Sequence, residues 1–161
     1  YKALPIESQP DAQMAVTADG RVAANALHCP GVVSMARSDN VNSANSQFFI
    51  MRAPNTDLDK RYTIFGRVVW GQNAVMALAV GNPPPTPDRM VAVRIAADVP
   101  ETERAPIFVL RTDGPAFRDL IDDTRRERSA DFSVCDVQIP ARVPRTENRE
   151  RRWWSIIPFI D

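Results

Sequence analysis

The chain has 161 residues, of which 44% are hydrophobic and 25% are charged, values typical of one globular domain with room for a small annex. Twenty basic side chains balance twenty acidic ones, so the net charge does not favour a nucleic acid, an anionic membrane or a strongly acidic substrate as partner. No apolar run reaches the roughly 18–20 residues that a membrane helix needs, and no signal-peptide pattern opens the chain.

The first thirty residues predict extended chain and loops rather than helix. They contain three prolines and a polar turn at 18–20. A short apolar strand is predicted at 32–35. The following segment, 37–46, reads RSDNVNSANS and predicts an irregular loop, because short polar side chains bond to nearby backbone groups.

Two further strands are predicted on either side of a second polar loop at 52–61. Residues 47–51 read QFFIM, which favours a strand that is buried on both faces or lines a barrel. Residues 62–69 read YTIFGRVV and predict another core strand. Gly66 inside that strand indicates a bulge, a bend or a close backbone approach.

A helix and a strand follow. Residues 73–80 are apolar all round and end before Gly81 and a proline run, so they predict a short buried helix. Residues 90–96 read MVAVRIA and predict a strand. Together with the two preceding strands they would complete a strand, strand, helix, strand unit near residue 98.

The remaining residues predict an annex at 99–144 that contains a strand, a helix and a strand. The first strand is expected at 107–110 and the last at 132–143. Between them, residues 115–128 have apolar groups at helical spacing, a proline at the start and a basic last turn. These features predict an amphipathic helix.

The tail at 145–161 joins a charged run to an apolar end that contains Trp153 and Trp154. The charged run predicts a solvated segment rather than a nucleic-acid patch, since acidic residues interrupt it. We expect the apolar end to fold back on the domain. The alternative is that Trp153 and Trp154 dock on a protein partner or at a membrane interface, where tryptophan is favoured.

Cys29, Cys135 and His28 provide no metal-ligand spacing, so no metal site is predicted. The two thiols could pair in an oxidising compartment, but their positions in the sequence do not show their distance in space. Free buried cysteines are common, and two unpaired thiols are the favoured expectation.

Three blocks of sequence carry a family resemblance. They are GVVSMAR at 31–37, SANSQFFI at 43–50 and FGRV at 65–68. In order and spacing they resemble the cyclophilins, a family of peptidyl-prolyl isomerases, and their bacterial members in particular. The resemblance implies a mainly β fold, an antiparallel β-barrel flanked by helices. It covers residues 30–98 well and residues 1–29 loosely. Residues 1–98 look like the C-terminal portion of that domain, so the barrel is expected to be incomplete.

The resemblance also implies a pocket for the ring of a substrate proline. Phe49 would form its floor, and Leu58 and Tyr62 would complete its apolar wall. Considered without the family, Phe49 is most simply a core aromatic residue, since large apolar side chains are usually buried for packing.

Beside the pocket, the resemblance implies a groove for the substrate peptide. Ala36 and Arg37 would contact its backbone, and Gln47 would form a hydrogen bond to it. For Gln47 the alternative is a side chain that satisfies backbone groups of the neighbouring loop. For Arg37 a solvated charge is an equally good interpretation.

Apolar and hydrogen-bonding side chains are sufficient for prolyl isomerisation. The barrier to rotation about a peptide bond is about 18–20 kcal/mol, and a catalyst lowers it by binding the twisted amide better than the planar forms. No covalent chemistry and no cofactor are needed. The expected partners are proline-containing polypeptides, in the bacterial periplasm or cytoplasm. The alternative is a non-catalytic module that binds such peptides or serves as a structural subunit.

The sequence departs from the family pattern in two ways. The arginine that acts as the family's catalytic donor is not found, because Arg21 is the only arginine before the three blocks and its surroundings do not resemble that motif. Weak activity or none is therefore expected of this chain alone. Asp57 stands where many eukaryotic members carry tryptophan, which predicts poor binding of cyclosporin-like ligands.

Overall fold

The computed structural model of the chain describes residues 4–8 and 24–144. The predictions about the turn at 18–20, about Arg21 and about the tail with Trp153 and Trp154 lie outside the described residues. Where residues 4–8 and 24–144 are concerned, no helix is both long and apolar enough to cross a membrane.

The centre of the fold is a three-stranded antiparallel sheet. Its strands are β3 (Val32–Met35), β4 (Phe48–Ile50) and β5 (Ile64–Arg67), in the order β4-β3-β5. The β-branched residues of β3 favour a strand, and this strand is the most buried part of the sheet. The three strands predicted here from the sequence are confirmed.

Two smaller antiparallel pairs accompany this sheet. The first joins β1 (Ile6–Ser8) to β2 (Ala24–Ala26), and the second joins β6 (Phe108–Val109) to β7 (Ala141–Arg142). Within the described part of the chain the three sheets do not close into a barrel. The predicted mainly β, antiparallel and incomplete architecture is therefore confirmed.

A bulge interrupts the pairing of β3 with β5. Val33 lies opposite Gly66 and Ser34 lies opposite Ile64, so Phe65 is the extra residue on β5. The prediction of an irregularity beside Gly66 is confirmed. The turn before β3 is also constrained: Gly31 has φ of +85°, and a Cβ added there would lie 2.8 Å from the Gln72 side-chain oxygen.

Of the two alternatives for residues 47–51, burial on both faces is wrong. β4 is an edge strand that pairs only with β3 among the described strands. Phe49 and Ile50 are half-buried, and Phe48 is 39% exposed. One face of the strand therefore lies on the core while the other is open.

The predicted buried helix at 73–80 is shorter and more exposed than expected. It is α1 (Gln72–Ala77), and Val75 is its one buried residue. Met76 and Leu78 are about half exposed. No layer of the described chain covers the outer face of α1, so its apolar residues are not packed all round.

Two strand predictions are wrong. Residues 90–96 form no strand in the described structure, and Val91 is 98% exposed, because no described strand runs beside this segment to pair with it. Residues 132–143 contain a 3-10 helix at Val134–Asp136 and only two strand residues, those of β7. The side chains of Ser133 and Asp136 cap that helix and favour a turn over a strand.

The other two predictions for the C-terminal part are confirmed. The short strand expected at 107–110 is β6, and the helix expected at 115–128 is α2 (Pro115–Arg128). Proline occupies the first turn of α2, where its missing N–H costs nothing, and three arginines lie in the last turn, where they favour the helix dipole.

The C-terminal part is attached to the central sheet by a disulfide. Cys29 and Cys135 are bonded, with their Cα atoms 5.0 Å apart, so the expectation of two free thiols is wrong. The 3-10 helix Val134–Asp136 brings Cys135 against the buried cluster of Cys29, Val32 and Met51. The two parts thus share a core, and the division of the chain at residue 98 stays a prediction.

Candidate substrate-binding site

Three aromatic rings form a connected group beside the central sheet. The Phe49 ring lies parallel to the His28 ring at a centroid distance of 6.0 Å, and the Tyr62 ring meets Phe49 edge-on at 5.8 Å. His28 is buried, whereas Phe49 and Tyr62 are half-buried. Phe49 therefore has one supported face and retains some exposed surface.

The core beneath this aromatic group is apolar. Phe49 and Leu58 both pack against the cluster of Cys29, Val32 and Met51. Leu58 ends a 3-10 helix (Thr56–Leu58), and its carbonyl accepts a hydrogen bond from the Tyr62 N–H at 3.2 Å. The three residues expected to form a pocket, Phe49, Leu58 and Tyr62, are therefore part of one connected cluster.

Arg37 lies beside that cluster and is held in place. Its guanidinium carbon is 4.8 Å from the centroid of the Tyr62 ring, within the range of a cation–π interaction. Its Nε and Nη2 donate to the carbonyl of Arg61 at 3.2 and 3.1 Å, and its Nη1 donates to that of Ser38 at 2.8 Å. Arg37 thus braces the loop around Tyr62 and is not simply a solvated charge.

Ala36 and Gln47 continue the pairing of β3 with β4 by one step. The Ala36 N–H donates to the Gln47 carbonyl at 2.9 Å. The Gln47 side chain is exposed and makes no hydrogen bond to the described residues. The alternative in which Gln47 satisfies the neighbouring loop is not supported, and its amide can bind another molecule.

A buried polar network beneath Phe49 was not anticipated from the sequence. The His28 backbone N–H donates to Asp59 Oδ1 at 2.8 Å, and His28 Nδ1 lies 2.8 Å from the same oxygen. His28 Nε2 lies 3.2 Å from the Ser34 hydroxyl oxygen, and that hydroxyl donates to the Thr63 carbonyl at 2.9 Å. No local sequence motif predicts this network, because Asp59 and His28 are 31 residues apart.

Hydrogen bonds connect Asp59 to His28 and His28 to Ser34, as in the catalytic triad of a hydrolase. The surroundings of Ser34, however, differ from those of a catalytic serine. A nucleophilic serine must reach its substrate, whereas Ser34 is fully buried and its hydroxyl proton is directed at a carbonyl oxygen. The network is therefore structural. It fixes the His28 ring, which in turn supports one face of Phe49.

Sequence comparisons relate this chain to known isomerases. The family model described as "Cyclophilin type peptidyl-prolyl cis-trans isomerase/CLD" matches residues 2–97. A probable peptidyl-prolyl cis-trans isomerase of Brucella abortus (strain 2308) is 44% identical over 73 residues, which cover 42% of this chain and 37% of that protein. Peptidyl-prolyl cis-trans isomerase cypE of Dictyostelium discoideum is 50% identical over 48 residues, 30% of each chain.

A solved structure shows the same fold. The cyclophilin AquaCyp293 from Hirschia baltica matches with a TM-score of 0.78 and 36% sequence identity, over 89% of this chain and 53% of that chain. This likeness extends beyond the residues that the family model matches. The chain spans just over half the length of the Hirschia protein and 37% of the Brucella one. On the match of the family model to residues 2–97, the chain belongs to the cyclophilin-type peptidyl-prolyl cis-trans isomerase family.

Proposed function

We propose that this chain binds the proline ring of extended polypeptides and takes part in cis-trans isomerisation of their X-Pro bonds, and so assists protein folding. The observation that carries the proposal is the cluster of Phe49, Leu58 and Tyr62 above an apolar core, with the unbonded amide of Gln47 near one edge of the same sheet. Apolar slots with a few convergent polar groups are typical ligand sites.

Each residue then has a role that follows from its surroundings. Phe49 provides the floor for the ring, and Leu58 and Tyr62 provide the walls. Gln47 donates or accepts a hydrogen bond with the peptide. Ala36 and Arg37 line the groove, where Arg37 acts by holding the Tyr62 loop, since its donors are occupied by backbone carbonyls.

The chemistry requires binding rather than bond making. Rotation about the X-Pro bond weakens the resonance of the amide, and the barrier falls when the site binds the twisted form more tightly than either planar form. A donor directed at the twisted amide would add electrostatic stabilisation. Because Arg37 already donates to neighbouring carbonyls, it is a poor candidate for that donor.

The hydrogen bonds of Arg37 to neighbouring carbonyls favour a second candidate function, binding of proline-containing peptides without turnover. The same pocket serves both functions, and they differ only in whether a free donor faces the amide. For Trp153 and Trp154, folding back on the domain stays the prediction, and docking on a protein partner or at a membrane interface stays its alternative.

The test measures binding and turnover separately on one peptide that contains a single X-Pro bond. Titration followed by NMR gives the affinity, and exchange spectroscopy gives the rate of isomerisation. We expect Phe49→Ala to weaken binding at least tenfold. Phe48→Ala is the matched control, because Phe48 lies on the same strand but contacts Phe65 instead of the pocket cluster.

The outcomes separate the candidates. Binding with an accelerated exchange rate supports the isomerase, and binding without acceleration supports the peptide-binding module. Affinity that is unchanged in Phe49→Ala would show that the pocket is not used, and both candidates would then be abandoned.

A further inference from the structure

Arg67, at the end of β5, is a buried cation without a described anionic partner. Arg67 is only 7% exposed. Nη2 donates to the Gln138 side-chain oxygen at 2.8 Å and to the Val137 carbonyl at 3.3 Å. Both acceptors are neutral. Burial of a charge is unfavourable unless an opposite charge or several hydrogen bonds compensate it.

The protonated form of this side chain is correspondingly destabilised. Burial lowers the pKa of Arg67 below its ordinary value, and desolvation is the cause. An arginine remains charged at neutral pH nonetheless. An anion placed beside Arg67 would offset this desolvation, and a neutral ligand would not.

Arg67 is one of the residues that line a cavity of about 300 Å³. Among the residues that line it are Arg67, Trp70, Gln72, Asn73, Gln138 and Ile139. Nε and Nη1 of Arg67 make no hydrogen bond to the described residues, yet no buried side-chain nitrogen or oxygen there lacks a partner. These two nitrogens therefore keep some exposed surface, and Arg67 lines the cavity.

We propose that this cavity binds an organic carboxylate that carries an apolar group. The planar guanidinium matches a carboxylate in shape and charge. The amides of Gln72 and Asn73 can add hydrogen bonds, and Trp70 and Ile139 can contact the apolar group. None of the lining residues belongs to the proline-binding set, so this site is separate from the one proposed above.

The size of the cavity limits the ligand. About 300 Å³ is at the lower end of the range for small-molecule pockets, so the cavity accepts a small acid or one terminal residue of a peptide. The shared chemistry is a carboxylate beside an apolar group. A free acid and the C-terminal carboxylate of a peptide are two sources of it.

The first experiment titrates the whole chain with 3-phenylpropionate and follows the indole N–H signal of Trp70 by NMR. The neutral amide of the same acid is the control. We expect the acid to shift the Trp70 signal and to bind at least tenfold more tightly than the amide. A short peptide that ends in phenylalanine, with a free or an amidated C-terminus, shows whether a peptide carboxylate binds better than the free acid.

Gln138→Glu tests the role of Arg67 without truncating a buried side chain. The new carboxylate would lie beside Nη2, neutralise the site and weaken binding of the acid at least tenfold. Asn42→Asp introduces the same charge in an exposed loop and should leave the affinity unchanged. Equal binding of the acid and its amide, or full affinity in Gln138→Glu, would overturn the proposal, as would the absence of binding to the unmodified chain.

Discussion

Ser34 illustrates how the fold accommodates a polar side chain at its centre. The residue is fully buried on the middle strand, and its hydroxyl is satisfied twice, by the Thr63 carbonyl and by His28. His28 is satisfied in turn by Asp59, which is near the surface. The hydrogen bonds thus form a continuous chain from buried Ser34 to Asp59 near the surface. No buried side-chain polar atom in the described residues is left without a partner.

Removal of the Ser34 hydroxyl should therefore be costly despite the small change in volume. Ser34→Ala leaves His28 Nε2 without its partner in the core, and we expect a loss of about 1–3 kcal/mol in the free energy of unfolding, measured by urea denaturation. Ser46→Ala is the control, because Ser46 is exposed and should change stability by less than about 0.5 kcal/mol. Equal stability of the two variants would contradict this account.

The site residues differ in how far the sequence could predict them. Phe49, Leu58 and Tyr62 belong to or lie near sequence blocks that resemble a known family, and the structure brings these three side chains into one cluster. His28 could not be found in that way. Its role depends on an aspartate 31 residues away and on a ring that stacks on it from β4, which are tertiary contacts without a local pattern.

At the scale of elements, the 3-10 helix Val134–Asp136 has the clearest electrostatic signature. The Ser133 backbone N–H donates to the Asp136 carboxylate at 2.8 Å, and Arg128 donates to it at 2.8 Å from the end of α2. The hydrogen bond from Ser133 is the main cause that holds the pKa of Asp136 below its ordinary value. Desolvation opposes it, and the hydrogen bond and charge of Arg128 add further lowering of this pKa. One carboxylate thus connects two helices.

A carboxyl group with a depressed pKa in the folded state stabilises the fold above its unfolded pKa, and this contribution is lost as the pH falls through the folded pKa. We therefore expect Asp136→Asn to lower the thermal midpoint near neutral pH, with a difference from the unmodified chain that shrinks as the solution becomes strongly acidic. Asp119→Asn is the control, since Asp119 makes no hydrogen bond to a described residue. A difference that is independent of pH would contradict the linkage.

Elements whose signals are local could be predicted, and elements that need a distant partner could not. The helix at 115–128 has its proline, its periodicity and its basic last turn within fourteen residues, and the structure matches its bounds. The segment at 90–96 has the composition of a strand, but a strand exists only when another strand accepts its hydrogen bonds. None of the described strands does so, and its apolar side chains remain exposed.

At the scale of the whole molecule, specific long-range connections hold the C-terminal part against the sheet. Arg67 reaches Val137 and Gln138, and the disulfide joins Cys29 to Cys135. The core at this contact is small. Within the described chain, its fully buried hydrophobic side chains are those of Cys29, Val32 and Val33. A small core with open sheets is expected to depend strongly on a covalent connection.

Reduction of the disulfide should therefore destabilise the entire fold. The two cysteines are 106 residues apart in the sequence, and opening so long a loop raises the entropy of the unfolded chain, so we expect a loss of about 2–5 kcal/mol in the free energy of unfolding. Urea denaturation with and without reductant measures the loss. Cys135→Ala should unfold like the reduced chain under both conditions. If the unmodified chain had the same unfolding free energy in both, the disulfide would not be what stabilises the contact between the C-terminal part and the sheet.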